Sequence, residues 1–363
     1  MRHHQCAGGR STARTRLAWA AALIGVALFS SQPGYGQALT QGPLSPTSVV
    51  DDASFGGASW FPPANATASD NAYAQVAPAG SPTHYLKATN FGFAIPAPAQ
   101  ILGIEVFVER KAALAMPALT DSRARIVKGG VVGAAERALG GAWPTADTTA
   151  VHGGPSDLWG ETWTPADINS SGFGFALSVT DGINTAAVDH ISITVSYSLC
   201  ATTAAVGCRT ALKSVLVIKD NTTNSKDKLT WKWIKGQSTT QAEFGDPTAT
   251  ASIALCVYDN TGLVGETLVA PGANWSVVST KGWKFLDKSG SQDGIQKVVL
   301  SGSTDNKAKA LMKGKGINLP DIAPALTLPV TVQMVNSESG LCWQSVFNAA
   351  IKNQTGQFKA KAP

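Results

Sequence analysis

Between Ile191 and Tyr197 apolar and polar positions alternate without a break. Ile191, Ile193, Val195 and Tyr197 fall on one parity, Ser192, Thr194 and Ser196 on the other. Side chains alternate across a strand, so this pattern predicts one covered face and one wet face. The run from Ile101 to Glu109 repeats it, with Ile104, Val106 and Val108 opposed to Glu105 and Glu109. "DSRARIVKGG" and "GFGFALSV" read as further strands bounded by glycine. Phe91-Gly92-Phe93-Ala94 and Phe173-Gly174-Phe175-Ala176 each precede an alternating run. A glycine between two rings lets the backbone bend or be closely approached while the rings supply buried area, so the repetition is read as architecture. Thr164 followed by Pro165 predicts the N-cap and first position of one short helical turn.

From about residue 209 the chain reads as strand, polar turn and strand three times. "KSVLVIKD" and "KDKLTWKWIKG" flank "NTTNS", "IQKVVLSG" and "KAKALMKGKG" flank "STDN", and "PVTVQMV" and "LCWQSVF" flank "NSESG". No stretch sustains helical apolar spacing for three turns. The expected fold is all-β: two β-sandwich, jelly-roll-like domains in tandem. The 36 glycines and 19 prolines, with 44% hydrophobic and 15% charged residues, suit short strands, turns and real cores.

Charge divides the chain at the same place. Residues 39–199 carry 7 Lys/Arg against 13 Asp/Glu, and residues 200–363 carry 18 against 11, all but one of the 18 being lysine. The expected organisation is a signal peptide (1–38), a polar lead (39–48), an acidic sandwich (49–199) and a basic, lysine-rich β domain (200–363). Arg2, Arg10, Arg14 and Arg16 precede the apolar stretch Leu17–Phe29, and small residues lead to Gly36-Gln37-Ala38. This predicts export to the periplasm, cell surface or medium, with an uncleaved anchor as the alternative. No later stretch reaches membrane-spanning length, so no membrane partner is expected after signal removal. Cys200, Cys208, Cys256 and Cys342 then remain, and an even number in an oxidising compartment predicts two disulfides. Three pairings are open. Proximity in sequence points to Cys200 with Cys208, which leaves Cys256 with Cys342.

Most of residues 50–198 resembles an uncharacterised β-sandwich-like domain of bacterial secreted and phage-tail-associated proteins. The words that carry it are "ASDNAYA", "ATNFGFAIPA", "IVKGG", "GGPSDLWGETWTPADINSSGFGFAL" and "VDHISITVSY". The second half resembles another uncharacterised β-rich segment of secreted bacterial proteins, through "KDKLTWKWIKG", "FGDP", "LCVYD" and "KGKGINLP". Relatives of that segment carry a further cysteine before a tryptophan, where this chain has Asn274 before Trp275. Neither resemblance implies a ligand.

Catalytic motifs are missing: there is no GxSxG, HExxH, phosphate-binding glycine loop or CxxC, and His84, His152 and His190 are isolated. No metal site and no cofactor are expected; "DNTTNSKD" lacks the glycine and final glutamate of a helical calcium loop. Two binding surfaces are candidates. Trp143, Trp159 and Trp163, with Asp157 and Glu161 between them, combine rings for sugar C–H faces with carboxylates for hydroxyls, unless the rings plug the sandwich. Lys226, Lys228 and Lys232 stand opposite Leu229, Trp231 and Trp233 in parity, and Lys307, Lys309, Lys313 and Lys315 stand opposite Ala308, Ala310 and Met312. Each ladder predicts a basic face over a buried one, fitted to an anionic polymer or to keeping exposed sheet from pairing. Without supporting arginines or a recognition motif, specific nucleic-acid binding is not expected.

These features favour an exported, non-catalytic binding or adhesion protein for carbohydrate or an anionic surface polymer. A structural surface or appendage component is the alternative, and a polysaccharide-acting enzyme the second. Salt-sensitive self-association of the acidic and basic halves is a further expectation.

Overall fold

The alternating runs pair into antiparallel sheets that stack as sandwiches. The structure, a computed structural model, describes residues 38–116, 118–180 and 184–363; the expected export signal lies outside them except for Ala38. In the first half one sheet runs β1 (Leu39–Leu44), β10 (Ala186–Ser198), β5 (Gln100–Ala112) and β8 (Thr148–Gly154), with β3 (Ala74–Val76) also paired to β10. The facing sheet runs β2 (Ser48–Asp52), β4 (Tyr85–Thr89), β9 (Gly174–Thr180), β6 (Thr120–Lys128) and β7 (Val131–Val132). With β2 and β3 set aside, this is the strand order of a jelly roll.

Ile104, Val106, Val108, Ile191, Ile193 and Val195 meet Leu86, Ala124, Ile126, Phe175 and Leu177 in one core. The two Phe-Gly-Phe segments converge there: Phe173 lies edge-on to Phe93 at 5.7 Å and 6.4 Å from Phe91. Gly174 permits this, because a Cβ there would stand 1.9 Å from the Ala88 carbonyl oxygen of the neighbouring strand. The short helix α1 (Pro165–Asn169) forms as its cap predicts, with Thr164 Oγ1 accepting from the Asp167 N–H. Two expectations change. Residues 39–48 are no free lead, since β1 is an edge strand on β10 whose Leu39 and Leu44 pack against the core and whose Gln41 Oε1 accepts from the Ala94 N–H; a proline-containing strand is suited to such an edge. The polar parity of β10 is not wet throughout, since Ser192 and Ser196 are buried beside larger neighbours such as Phe107, the cross-strand partner of Ser192.

The second half stacks unequal sheets. The larger runs β15 (Trp275–Val278), β16 (Gly282–Leu286), β17 (Ile295–Ser301), β18 (Ala308–Lys315), β12 (Lys228–Gly236), β11 (Ala211–Lys219), β22 (Gln357–Ala362) and β21 (Lys352–Gln354). The smaller runs β14 (Gly262–Val269), β13 (Ile253–Asp259), β19 (Val330–Asn336) and β20 (Cys342–Phe347). All three expected hairpins form, as β11–β12, β17–β18 and β19–β20. The consecutive meander β15 to β18 departs from jelly-roll order, because tight turns pair each strand with its successor.

The smaller sheet is buried on both faces. Ile253, Leu255 and Val257 of β13 face the second core, whereas Ala254, Cys256 and Tyr258 join the cluster that begins in the first sandwich. A strap, residues 199–209, crosses that outer face. Cys200 bonds to Cys256 and Cys208 to Cys342, with Cα separations of 5.5 and 4.7 Å. Between them Tyr258 Oη donates to the Ala201 carbonyl, and the Gln333 amide accepts from Ala205 N–H and donates to its carbonyl. The expected Cys200–Cys208 and Cys256–Cys342 pairing is thus overturned. β19 separates β13 from β20 by roughly 9–10 Å in all, and Cys342 lies two residues along from the position across from Cys256, which puts the pair beyond disulfide reach. Among the described residues no helix is long and apolar enough to cross a membrane.

Glu266 lies buried at this joint, opposite Cys256 in the β13–β14 ladder, and its Oε2 accepts from Ser198 Oγ at 2.8 Å. Burial, reinforced by Asp293, pushes its carboxyl up to about 7, and burial lifts Asp293 to about 6. The unfolded chain releases both protons near the ordinary carboxylate values of about 4. The folded chain therefore holds more protons above that point, so the contribution of these two groups to stability is full below about 4 and falls as pH rises toward 7. Glu266→Gln should flatten this fall in denaturant titrations between pH 5 and 8; an unchanged slope would refute the assignment. Replacing Cys208 and Cys342 by serine should cost about 2–5 kcal/mol, because a 134-residue separation is no longer closed in the unfolded chain. An unaltered melting midpoint would contradict that role for the strap.

Candidate anion-binding face

The tryptophans of the first sandwich do not form an exposed platform. Trp159 is fully buried, donates from Nε1 to the Ile104 carbonyl at 3.0 Å and packs edge-on to Phe175. Trp143 is buried too and donates to Asp121 Oδ1 at 2.7 Å. Trp163 is half-buried, stacked edge-on against Phe173 with the Lys128 ammonium 5.1 Å from its ring centroid. Asp157 accepts both Arg137 Nε at 2.6 Å and Nη2 at 2.9 Å, which holds its carboxyl below the usual range, and it also accepts the Trp159 N–H. Glu161 is half-buried beside them. Trp143 and Trp159 thus serve the core of the sandwich and not a shared exposed platform. Large rings in a small domain are more stabilising inside than out.

A buried polar centre that the sequence did not suggest lies behind Trp143. Asp121 accepts from Arg110, Trp143, the Leu139 N–H and His152 Nε2, and thereby ties a long loop to β5 and β8. These groups are separated in sequence by up to 42 positions, and no local pattern marks them. His152 and Asp121 have no exposed side-chain surface, so a substrate has no access to the pair. His190 Nε2 lies 2.9 Å from Ser45 Oγ, and His84 Nδ1 lies 2.8 Å from Asp51 Oδ2 and 3.3 Å from Ser59 Oγ.

The lysines present a different picture. The eight strands of the larger sheet carry 13 lysines and no aspartate or glutamate. Leu229, Trp231 and Trp233 of β12 and Ala308, Ala310 and Met312 of β18 are buried, which turns Lys228, Lys232, Lys309, Lys313 and Lys315 to the other face. Lys226 and Lys307 lie just outside the strands, in the turns that lead into β12 and β18. The fold adds lysines that the two ladders did not include: Lys213 and Lys219 from β11, Lys359 and Lys361 from β22, Lys297 from β17 and Lys284 from β16.

Because β11, β12 and β18 are consecutive in the sheet, Lys219 stands opposite Lys228 and Lys228 opposite Lys315; Lys313 likewise faces Lys297. Directly opposed like charges on a sheet are unfavourable. Among the described residues no lysine of this half enters an ion pair, whereas six of the seven cations of the acidic half do. Edge protection does not account for the arrangement, since β12 and β18 occupy the middle of the sheet with partners on both sides.

At one end of the face, Asp220, Asp227 and Asp321 bring carboxylate oxygens within 4.8 Å of one another. Burial, then Asp227 and Asp321, raise the Asp220 carboxyl above its ordinary range. Asp321 is remote in sequence, which hid the grouping.

Compared with protein-family models, curated proteins and solved structures, the chain has no match. The resemblances drawn from its sequence therefore rest on the quoted segments alone.

Trp159→Ala should lower stability by about 3–5 kcal/mol, as removal of a buried tryptophan does. Chemical denaturation measures this; a variant of wild-type stability that loses sugar binding would restore the exposed-platform reading.

Proposed function

We propose that the protein is an exported, non-catalytic binding protein that attaches to an anionic polymer of a cell surface through the lysine face of its larger sheet. The observation that supports this is a sheet face of many lysines with neither a carboxylate on its strands nor an ion pair. Ordinary surfaces intersperse both signs, and a large single-sign field attracts oppositely charged partners and raises their local concentration. Two disulfides are compatible with an oxidising compartment outside the cytoplasm. Recognition of neutral sugar by stacked rings has less support, because Trp143 and Trp159 are enclosed.

Binding to acidic polysaccharide should weaken roughly tenfold or more between 50 and 200 mM salt as counterions compete. Changing Lys232, Lys309, Lys313 and Lys361 together to serine should weaken binding and make it less dependent on salt. Salt-independent binding, or a variant that binds as well as the wild type, would overturn the proposal.

A further inference from the structure

One corner of the lysine face is a recess and not a plain surface. Lys219, Lys226, Lys228 and Lys315 line it together with Asn221 and Ser225, around a cavity of about 280 Å³. Three of the four lysines come from adjacent strands in a single cross-strand row, and Lys226 reaches in from the turn between β11 and β12. The turn is held in place from below. Asp227, buried, accepts the Asn221 N–H at 2.7 Å, and Asn221 Nδ2 donates to the Lys226 carbonyl at 3.1 Å. Asp227 thus positions Asn221, Ser225 and Lys226 without lining the recess; Asp220 and Asp321 are outside the lining as well.

We infer that this recess is a binding site for a phosphate or sulfate group, and that it anchors the anionic polymer of the function proposed above, on which the inference rests. Every ionisable group in the lining is a lysine, and Asn221 and Ser225 contribute neutral donors. A carboxylate offers one negative charge and two oxygens. A phosphate or sulfate group offers up to two charges and three or four oxygens, which answers four ammonium groups more completely. Lysine binds such groups as a point charge, without the planar fork that carboxylates match on arginine. Binding relieves the repulsion along the row Lys219, Lys228 and Lys315, none of which enters an ion pair among the described residues.

The test uses the oxidised full chain and two double variants that remove equal charge from exposed positions. Lys228→Ala with Lys315→Ala removes two of the four lysines of the recess, and Lys309→Ala with Lys361→Ala removes two lysines elsewhere on the face. Inorganic phosphate and inorganic sulfate, titrated calorimetrically against chloride at matched ionic strength, should bind the wild type and the second variant alike. Affinity for the first variant should fall by about tenfold or more, the loss expected for charged hydrogen bonds. A polysaccharide bearing phosphate monoesters should bind the wild type more tightly than polygalacturonate, and the first variant should lose that preference. Equal losses in both variants, or no phosphate binding above chloride, would overturn the recess as a site. The face would stand in that case if either polymer still bound in a salt-sensitive manner. Failure of both polymers to bind would remove the face and the recess together.

Discussion

The burial of the smaller sheet of the second half on both faces is the constraint from which the rest of the structure follows. β13 has no wet side: Ile253, Leu255 and Val257 belong to one core, Ala254, Cys256 and Tyr258 to the other. A sheet in that position needs something on its outer face, and the strap supplies it with two disulfides and the hydrogen bonds of Gln333 and Tyr258. The strap also continues directly from β10, so the same residues that cover the sheet connect the sandwiches. Of the two outer faces of the second sandwich, this use consumes one. The face that remains is the outer side of the larger sheet, and that is where the lysines are.

Such a face is tolerable only because its reverse side is strongly apolar. Each directly opposed like-charged pair costs a fraction of a kcal/mol, roughly 0.2–1. Each large apolar side chain buried beneath contributes about 1.5–3 kcal/mol. Trp231 and Trp233 are fully buried, and each also donates across the sandwich, to Ser345 Oγ and to the Gln344 carbonyl. The alternation that buries these rings is the same alternation that exposes Lys228 and Lys232. Core and charge are two readings of one strand, so the lysines can be changed without touching what holds the sheet.

Period two was legible wherever one face of a strand is polar. It located the second-half hairpins, the runs at 101–109 and 191–197, and the outward direction of both lysine ladders. The helical turn was legible from Thr164 and Pro165 alone, because capping chemistry is local. What stayed hidden depends on neighbours remote in sequence. "IALCVYD" does not alternate, since both of its faces are covered, so it could not say which cysteines share a face. β1 shows no alternation, and the free edge of β10 with core contacts of Leu39 and Leu44 makes it a strand. Trp159 reads the same exposed or enclosed; its fate is decided by Ile104 and Phe175, 55 and 16 positions away. The recess needed β18 beside β12, which no spacing within either strand implies.

Opposite net charges in the two halves suggest that they attract one another, but the distribution of ion pairs argues for an outside partner. In the acidic half Asp52, Asp121, Glu136, Asp147, Asp157 and Asp167 each already sit against a cation of that same half. A second copy docking at those six would have to compete with their contacts, and Asp121 is buried; among the described residues Asp70, Glu105, Glu109 and Glu161 enter no ion pair. The lysine face has no such prior commitments. An ion pair made by breaking another at similar exposure yields little net free energy, since surface pairs are worth about 0–1 kcal/mol at best. A flexible polyanion brings charges that are compensated only by mobile counterions, and releasing those into solution favours binding. On the function proposed above, counterion release is the term that favours external anionic polymer over a second copy of the chain.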